Sequence, residues 1–343
     1  MCAQIVPLWL QKESPIIPFD KYMALALYHP THGYYQQPKT PVGRDFETAC
    51  TLSPHLGEML AISIHSCFTP PYNLYEIGPG NGDLMVAVLK KLSSLDCLPT
   101  RVYLHDIAPM RIQQSKTKIS SQLPHISIEI MHEKPSQWQG ALIANEVLDA
   151  MPFKRFYHDG SQLFEMHVNT KTLQWHQQES SQTSPQQGPY FYEKSDYDAI
   201  CPWLKSCKNG MLWLIDYGYS QSEYYHPERI NGSMTCFKEG RKHNNPLHEP
   251  GQHDITAHVN WSKVAQLVQN HGLSVYGYTS QAMFMQACMR SKMIDPCTDL
   301  NTLKTLMYPG EMGETIKVMM CGSPNQPPPL GSASKHLLEQ YTN

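Results

Sequence analysis

The sequence lacks the patterns that mark several common classes of protein. None of its ten cysteines forms a C-x-x-C pair, the spacing typical of small zinc sites. No segment approaches the ~20 consecutive apolar residues that a membrane-spanning helix requires, so no membrane span is predicted. The formal net charge of −3 shows no basic excess. We therefore expect no nucleic-acid partner, because binding phosphates requires a clustered positive field.

Secretion signals are also missing. The opening stretch MCAQIVPLWLQKESP has no basic segment followed by a long apolar run, so no export signal is predicted. A disulfide framework is not expected in a chain of 343 residues without such a signal. Reduced thiols and a cytoplasmic location fit this pattern best. The apolar fraction of 41% predicts a sizeable buried core.

From residue 73 onward, short apolar runs alternate with longer amphipathic segments. The runs predict strands at 73–78, 101–106, 126–131, 141–145, 210–216, 273–279 and 315–321. The segments predict helices at 83–94, 108–123 and 261–272. This alternation predicts an α/β fold with a doubly wound, mostly parallel sheet.

The composition divides the chain into an N-terminal helical or lid segment, a core and a flexible tail, at 1–70, 71–322 and 323–343. Two insertions interrupt the core at about 153–205 and 217–260. The first contains a predicted hairpin, with Asp159 and Gly160 at its turn. The second is rich in Pro, Gly, His and Asn, and a connection of this length is typical of a lid or binding loop.

The stretch YEIGPGNGD, residues 75–83, places Gly78, Gly80 and Gly82 between a predicted strand and a predicted helix. Glycine permits positive φ and lets a ligand approach the backbone. The following helix start offers free N–H groups and a positive potential. A dinucleotide fingerprint requires G-x-G-x-x-G. Here the third glycine comes one residue early, and Asp83 in its place would oppose a pyrophosphate.

Two acids near the glycines favour a cofactor with little negative charge. The spacing E-x-G-x-G-x-G, which begins at Glu76, is usual in methyltransferases that use S-adenosylmethionine. Glu76 would hold the ammonium of that cofactor, and Asp106, at the end of the second strand, would accept both ribose hydroxyls. The alternative is a glycine turn that binds nothing, with both acids as ordinary strand ends.

Several segments, spread from about residue 22 to 261, together resemble one family: YMALALYHPTHGYY, GRDFETACTLSPHLGE, EIGPGNGDLM, YLHDIAPMRIQQ, IANEVLDAMPFKRF, LIDYGY and PGQHDITAHVNW. It is the methyltransferase family that includes the mitochondrial complex I assembly factor with protein arginine methyltransferase activity, and its bacterial relatives. The resemblance implies a seven-stranded, Rossmann-like class I core, an N-terminal segment over the cofactor and an inserted substrate-side region. It also implies a protein arginine as acceptor. Departures include Cys50, Asp106 and Ala108, where the family commonly has proline, glutamate and serine.

The fourth strand is followed by Asn145, Glu146 and Asp149, at the edge where doubly wound sheets bind ligands. We assign Asn145 to the cofactor. Glu146 and Asp149 would grip two edges of a planar guanidinium and leave its third nitrogen aimed at the methyl group. The alternative is a helix cap with a structural acid. For Asp216, which ends the fifth strand, a place in the same cleft and a structural role both stay open.

The N-terminal segment and the second insertion supply further candidates. Gly33 and Tyr34, with Tyr35, could fold over the sulfonium, because aromatic faces attract cations; a helix stop with buried tyrosines is the alternative. His253 and Asp254 belong to the DITAHV pattern and are assigned to the substrate side, with His253 as a candidate general base or a hydrogen-bonded structural residue.

The second insertion also contains histidines at 243, 248, 253 and 258. Their five-residue spacing places them on neither one helical face nor one strand face, so no metal is predicted.

The leading hypothesis is thus a methyltransferase dependent on S-adenosylmethionine, acting on a protein arginine; a homodimer is one assembly open to it. A nicotinamide-dependent oxidoreductase is disfavoured by the early third glycine. A non-catalytic assembly factor that binds the cofactor is another alternative. Glu146 and Asp149 distinguish an enzyme from such a factor, because a protein that only binds the cofactor need not keep both acids.

Overall fold

The computed structural model describes residues 6–37, 52–186, 188–291, 293, 300–308 and 312–332. Its strands are β1 Ile16–Pro18, β2 Asn73–Ile77, β3 Arg101–His105, β4 Ile128–Ile130, β5 Trp138–Asn145, β6 Lys154–Asp159, β7 Leu163–Asn169, β8 Gln174–Glu179, β9 Pro189–Lys194, β10 Cys207–Tyr219, β11 Thr235–Lys238, β12 Arg241–His243, β13 Asp254–Thr256, β14 Val259–Asn260, β15 Ser274–Ser280 and β16 Ile316–Gly322. Its α-helices are α1 Leu8–Gln11, α2 Phe19–Tyr28, α3 His55–His65, α4 Asp83–Ser94, α5 Pro109–Gln122, α6 Cys201–Ser206, α7 Gln221–Tyr224, α8 Trp261–Asn270, α9 Gln281–Met289, α10 Leu300–Met307 and α11 Met312–Thr315.

The described residues form two compact units. The first unit consists of the residues before 38 together with 149–197 and 219–260. The second consists of residues 52–148 and 198–218 and the described residues after 260.

The second unit is built on a mixed sheet with the strand order β15-β16-β10-β5-β2-β3-β4. Strands β2, β3, β4, β5 and β10 are parallel, whereas β16 runs antiparallel to both of its neighbours. Helices α4 and α5 follow β2 and β3 along the chain, as the alternating sequence pattern predicts. The predicted α/β fold is confirmed, and the predicted strands and helices of this unit are present with small shifts at their ends.

The core of the second unit shows why these segments form buried elements. Strand β5 is buried on both faces along Ala141–Ala144, and β2 likewise along Leu74–Ile77. The continuous apolar run of β5 is typical of parallel strands with helices on both faces, and β2 differs from it only in the buried Glu76. Leu84, Val88 and Leu92 recur every four residues along α4 and are buried with these strands.

The first unit contains two smaller antiparallel sheets. One has the order β1-β7-β6-β9, with β8 paired to β7, and the other has the order β12-β11-β13. The predicted hairpin around Asp159 is confirmed: β6 and β7 pair antiparallel, and Asp159 Oδ1 accepts from the N–H groups of Ser161 and Gln162, both at 2.8 Å. A core that includes Phe19, Tyr22 and Phe153 lies in this unit.

Several segments differ from the sequence prediction. Residues 217–259, predicted as a long loop, contain a small sheet, because the turn at Glu239-Gly240 folds β11 onto β12 with positive φ at both residues. Residues 323–332, predicted as part of a flexible tail, bind the second unit: Leu330 donates its N–H to Ser66 Oγ at 2.8 Å, and its carbonyl accepts from Ser63 Oγ at 2.6 Å. Residues 333–343 lie outside the described residues, and so do positions 43–51 of the family segment GRDFETACTLSPHLGE.

An ion pair between Arg155 and Glu193 lies buried inside the first unit. Glu193 is 1% exposed, and its second oxygen accepts from the N–H and hydroxyl of Ser233 at 2.7 and 3.1 Å. Arg155 also donates to the carbonyl of Asn231 at 3.2 Å. The pair therefore joins the β6–β9 sheet to the segment that precedes β11.

Replacing Glu193 by alanine should destabilise the chain by about 3–5 kcal/mol, because it leaves the Arg155 charge buried without its partner. Chemical denaturation measures the change in free energy of unfolding. Lys21→Ala is the control: it breaks an ion pair with Glu13 of 2.7 Å in which the lysine is half exposed, and it should cost less than ~1 kcal/mol. Equal effects of the two substitutions would contradict the structural role assigned to Glu193.

Candidate functional site

Three parallel strands of the second unit end in one row at the same edge of the sheet. Ile77 at the end of β2 is paired with His105 on one side and with Ala144 on the other. The next residues of these strands are the first glycine of the turn, Asp106 and Asn145. The register of the sheet therefore brings these three features together, at the edge where open α/β sheets bind ligands.

The turn after β2 needs its glycines for backbone geometry. Gly78, Gly80 and Gly82 have φ of 66, 53 and 86°, a region that L side chains rarely adopt. The N–H of Gly78 donates to the carbonyl of His105 at 2.9 Å and ties the turn to the end of β3. A Cβ on Gly82 would lie only 2.8 Å from Ser115 Oγ on α5. The turn thus places backbone without side chains at the carboxyl edge of the sheet.

Asp83, at the first position of α4, is not the free negative charge that the sequence argument assumed. Its carboxylate forms an ion pair with Lys118 and accepts from Asn81 Nδ2 at 2.6 Å. A compensated carboxylate opposes a pyrophosphate less than an unpaired one. The argument against a dinucleotide from Asp83 is therefore weakened, and the preference for another cofactor depends on Glu76 and Asp106.

Glu76 is a buried acid near the end of β2. Its side chain is 2% exposed, and its Oε2 has no hydrogen-bond partner among the described residues. Burial, and secondarily the charge of Asp106, raises the pKa of Glu76 to about 8. An uncompensated buried carboxyl of this kind gains stability when a cation is placed beside it. The group therefore fits the ammonium of an amino-acid ligand.

Asp106 directly follows β3, and a backbone hydrogen bond holds its carboxylate. Its Oδ1 accepts from the N–H of Ala108 at 2.8 Å, which fixes the carboxylate at the start of α5. Burial raises the pKa of Asp106, while the Ala108 N–H and the charge of Arg111 act in the opposite direction. The assignment of Glu76 and Asp106 to the methionine and ribose ends of S-adenosylmethionine stays a prediction.

The loop after β5 holds Glu146 in a strained conformation. Glu146 has a φ of 51°, and its N–H donates to the carbonyl of Ile215 at 2.9 Å. Asn145 Nδ2 donates to Glu146 Oε1 at 3.3 Å, while Asn145 Oδ1 is buried without a partner among the described residues. A non-glycine residue at positive φ costs about 1–3 kcal/mol and is often found at functional sites. Six other described non-glycine residues also have positive φ, among them Glu239 in the β11–β12 turn, so the catalytic assignment of Glu146 stays a prediction.

Asp216 on β10 explains how this loop is held. The side chain is fully buried, and its Oδ2 accepts from the N–H groups of Val147 and Leu148 at 3.1 and 2.8 Å. Its Oδ1 accepts from the N–H of Tyr217 at 2.8 Å. Of the two roles left open by the sequence, the structure supports the structural one. Asp216 is a positioning residue for the segment that begins at Glu146.

In the first unit, Tyr35 is hydrogen-bonded to one acidic side chain and lies near another. Its hydroxyl donates to both carboxylate oxygens of Asp254, at 2.8 and 2.9 Å, and its ring stacks on Tyr28 with centroids 5.5 Å apart. Burial, followed by the charges of Asp254 and other neighbours including Asp149, holds the pKa of Tyr35 well above its usual value. Asp149 and Asp254 therefore lie within electrostatic range of one phenol.

Local packing accounts for Gly33 and Tyr34. A Cβ on Gly33 would lie 2.5 Å from the backbone nitrogen of His29, and the Gly33 N–H donates to the His29 carbonyl at 2.8 Å. Tyr34 is buried in the core of the first unit. The assignment of both residues to the cofactor stays a prediction.

His253 is buried rather than open to a substrate. The side chain is 1% exposed, and its ring meets that of His243 edge to face, with centroids 4.8 Å apart. Burial, with a contribution from His243, lowers the pKa of His253 to about 4, so the imidazole is neutral at pH 7. This position gives no support to His253 as a general base. The joint grip by Glu146 and Asp149 also stays a prediction, since these residues belong to different units.

Sequence reasoning overlooked two further contacts and left a third, that of Asp216, open. Lys118 lies 35 residues from Asp83, and no local pattern signals their pairing. The positioning role of Asp216 had a weak signal, namely an acid within an otherwise apolar strand. Cys236 and His243 stand opposite each other across the Glu239-Gly240 turn. A search for two-residue hairpin turns would have placed them together.

The chain is similar to several known proteins. Residues 56–279 match the family described as S-adenosyl-L-methionine-dependent methyltransferases. The chain is 25% identical over 321 residues to the "Protein arginine methyltransferase NDUFAF7 homolog, mitochondrial" of Drosophila melanogaster, covering 79% of this chain and 71% of the relative. The corresponding Caenorhabditis elegans protein is 23% identical over 87% of this chain and 80% of the relative.

Similar structures include a Burkholderia thailandensis protein bound to S-adenosyl-homocysteine. It superposes with a TM-score of 0.86 at 26% identity, covering 96% of this chain and 94% of that one. A native crystal structure from the same organism gives a TM-score of 0.83 at 25% identity, covering 95% of this chain and 92% of that one.

Replacing Glu76 by glutamine should stabilise the ligand-free chain at neutral pH. Because the folded chain raises the pKa of Glu76 to about 8, this carboxyl favours folding at low pH, and that contribution is lost as the pH rises from about 4.5 through 8. Glutamine removes the ionisation, so we expect a gain of about 2–3 kcal/mol at pH 7. The gain should be largest at pH 8 and smallest near pH 5, measured by thermal unfolding.

The same substitution should weaken the binding of S-adenosyl-homocysteine about 10–100-fold in calorimetric titration, because glutamine supplies no charge for the ammonium. Glu129→Gln is the matched control, since Glu129 lies on the surface of the same sheet in an exposed pair with Arg101. It should leave both the unfolding temperature and the affinity unchanged. Unaltered binding in Glu76→Gln would contradict the role assigned to this acid.

Proposed function

This chain belongs to the family of S-adenosyl-L-methionine-dependent methyltransferases matched by residues 56–279, and we propose that the group it methylates is an arginine side chain of a protein. The unpartnered, buried Glu76 beside the glycine turn is the observation that carries the cofactor assignment. The acceptor is supported by two relatives named as protein arginine methyltransferases and by the carboxylate of Glu146, held at the same edge of the sheet.

When bound, S-adenosyl-L-methionine supplies a methyl group on a sulfonium. The residues of the chain bind and orient the reactants. Glu76 pairs with the ammonium, Asp106 accepts hydrogen bonds from the ribose hydroxyls, and Asn145 Oδ1 accepts one from a donor of the ligand. The absence of Cβ atoms at Gly78, Gly80 and Gly82 lets the ligand lie against the backbone. The N-terminus of α4 supplies N–H groups suited to a carboxylate.

The acceptor must be aligned with the methyl carbon, since alignment alone can supply about 7–11 kcal/mol of the barrier. A guanidinium has five N–H donors in one plane and stays charged at neutral pH. We propose that Glu146 accepts two of these donors and fixes that plane. Asp149 and Asp254 are proposed as further carboxylates for cationic groups of the protein substrate. The proton lost from the methylated nitrogen passes to a carboxylate or to water.

Three finer assignments accompany this proposal. The strand order around β2, with β16 as an antiparallel member, supports a seven-stranded class I core. We propose a lid role for the N-terminal segment. A cytoplasmic location is also proposed, and the free thiols of the described cysteines support it. None of the described helices has the length and hydropathy needed to cross a membrane.

A methyl-transfer assay with labelled S-adenosyl-L-methionine tests the acceptor. The chain is incubated with peptide libraries rich in arginine, in lysine or in neither, and the product is hydrolysed and separated. We expect label in methylarginine only. If the libraries give no label, a whole-cell extract is used as the acceptor. Label in methyllysine, or no label in either the peptides or the extract, would overturn the arginine proposal. Binding of the cofactor without any transfer would instead indicate the non-catalytic assembly factor.

Replacing Glu146 by glutamine should leave the affinity for S-adenosyl-homocysteine within about twofold and reduce kcat by about 100-fold or more, because the plane of the guanidinium is no longer fixed by charge. Glutamine preserves the size of the side chain. Normal turnover in this variant would show that another residue orients the acceptor.

Asp216→Asn should act through the loop that Asp216 holds. An amide can present only one oxygen, so at least one of the N–H groups of Val147, Leu148 and Tyr217 loses its acceptor. We expect kcat to fall about tenfold while the KM for the cofactor changes little. The exposed Asp198 of the same unit is the control, and Asp198→Asn should change neither parameter. A rise in cofactor KM with unchanged kcat would refute the positioning role.

A further inference from the structure

The small three-stranded sheet of the first unit brings together Cys236, His243 and His253. One ligand atom of each residue can be chosen so that all three atoms lie within 4.8 Å of one another. Two of the three side chains are buried, and the third is partly buried. None of these three residues takes part in the hydrogen bonds between Tyr35 and Asp254, although Asp254 directly follows His253 in the sequence.

The sheet register explains why these residues meet. Cys236 on β11 is paired with His243 on β12 across the Glu239-Gly240 turn. On its other side, Cys236 is paired with Ile255 on β13, and His253 immediately precedes that strand. The thiol is therefore flanked by an imidazole from each side.

The cluster contains polar atoms that nothing else in the described chain accounts for. Cys236 is 0% exposed, and both ring nitrogens of His253 lack hydrogen-bond partners among the described residues. The Pro246 carbonyl is close enough to influence His253, but it meets neither nitrogen with hydrogen-bonding geometry. His243 Nε2 is also buried without a partner in this part of the chain. Each unpaired buried group of this kind costs about 1–3 kcal/mol, and here three such nitrogens lie beside one buried thiol.

We propose that Cys236, His243 and His253 bind one zinc ion, with a water molecule as the fourth ligand. One thiolate and two imidazoles form a mixed sulfur and nitrogen set, and such sets prefer zinc over magnesium or calcium. This proposal does not depend on the acceptor proposed above.

Only small movements are needed to form the site. Tetrahedral zinc with Zn–S of about 2.3 Å and Zn–N of about 2.0–2.1 Å places ligand atoms roughly 3.4–3.8 Å apart. The cluster must therefore contract by about 1 Å, which side-chain rotation can provide. His243 must ligate through Nε2 and carry its proton on Nδ1. The hydrogen bond that Nδ1 accepts from the Asn245 N–H is then lost; it is long, at 3.4 Å.

The charges around the cluster permit a dication. The Cys236 thiol releases its proton to solvent on binding, so zinc, one thiolate and two neutral imidazoles carry a net charge of +1. Asp254 acts electrostatically on Cys236, and Glu249 acts on His243. Lys238 and Arg155 oppose a cation here, but Lys238 is paired with Glu249 and Arg155 with Glu193. The bound ion would join β12, through His243, to His253, immediately before β13.

Metal analysis of the full-length chain tests the proposal. The protein is stripped with a chelator, dialysed against zinc and then passed over a desalting column. We expect one zinc per chain by elemental analysis and a rise in unfolding temperature on adding zinc, because the ion binds the folded state. Cobalt in place of zinc should give the intense near-ultraviolet absorption of a thiolate-to-metal charge transfer. Less than about a tenth of an equivalent of zinc after desalting would overturn the proposal.

Variants identify the ligands. Cys236→Ser and His243→Gln should each lower the retained zinc at least tenfold. Neither variant should show the cobalt–thiolate absorption when cobalt is added. Cys288→Ser, at a buried cysteine of the second unit, and His226→Gln, at an exposed histidine, are the controls and should keep one zinc. Far-ultraviolet circular dichroism and cooperative thermal unfolding of each variant, compared with the zinc-free parent chain, report that the first unit is folded. Full zinc retention by folded Cys236→Ser would refute the site.

Discussion

The parallel pairing of β2 with β3 and β5 is the constraint on which the candidate site depends. Because the register aligns Ile77, His105 and Ala144, the residues that follow them begin their turns at one edge of the sheet. The glycine turn can then donate an N–H to β3, and β10 can place Asp216 under the loop after β5. A shift of one residue in any of these strands would separate these groups and move side chains to the opposite face.

The same edge shows a conflict between stability and binding. A carboxyl with its pKa raised to about 8 by burial opposes folding at neutral pH, and a positive φ at Glu146 adds backbone strain. Neither feature benefits the ligand-free chain. The buried carboxyl becomes favourable when a cationic group lies beside it, whereas the strain at Glu146 is a fixed cost of the loop that follows β5.

Local patterns in the sequence predicted much of this unit, and tertiary contacts set the limit. The glycines and the boundaries of α4 follow from neighbouring residues alone, because turn geometry and helical periodicity are local properties. The partner of Asp83 could not be predicted, since Lys118 reaches it from another helix and removes the charge on which the argument against a pyrophosphate relied. In the same way, the long polar insertion gave no warning of a sheet, because its strands have only three or four residues each.

Buried polar atoms without partners differ in what they imply about ligands. Ser115 Oγ is one such atom, but a neutral hydroxyl costs less to bury than a charged group and offers a ligand no charge. Glu76 and His253 differ from it, because a carboxyl can ionise and an imidazole nitrogen can ligate a metal. Glu76 lies beside a bare glycine backbone, with the Asp106 carboxylate within electrostatic range, and these surroundings suit an organic cation. His253 lies with a second imidazole and a thiol within 4.8 Å, and that composition suits a metal ion rather than an ammonium. The chemistry of the neighbours, more than burial itself, therefore separates the two kinds of site.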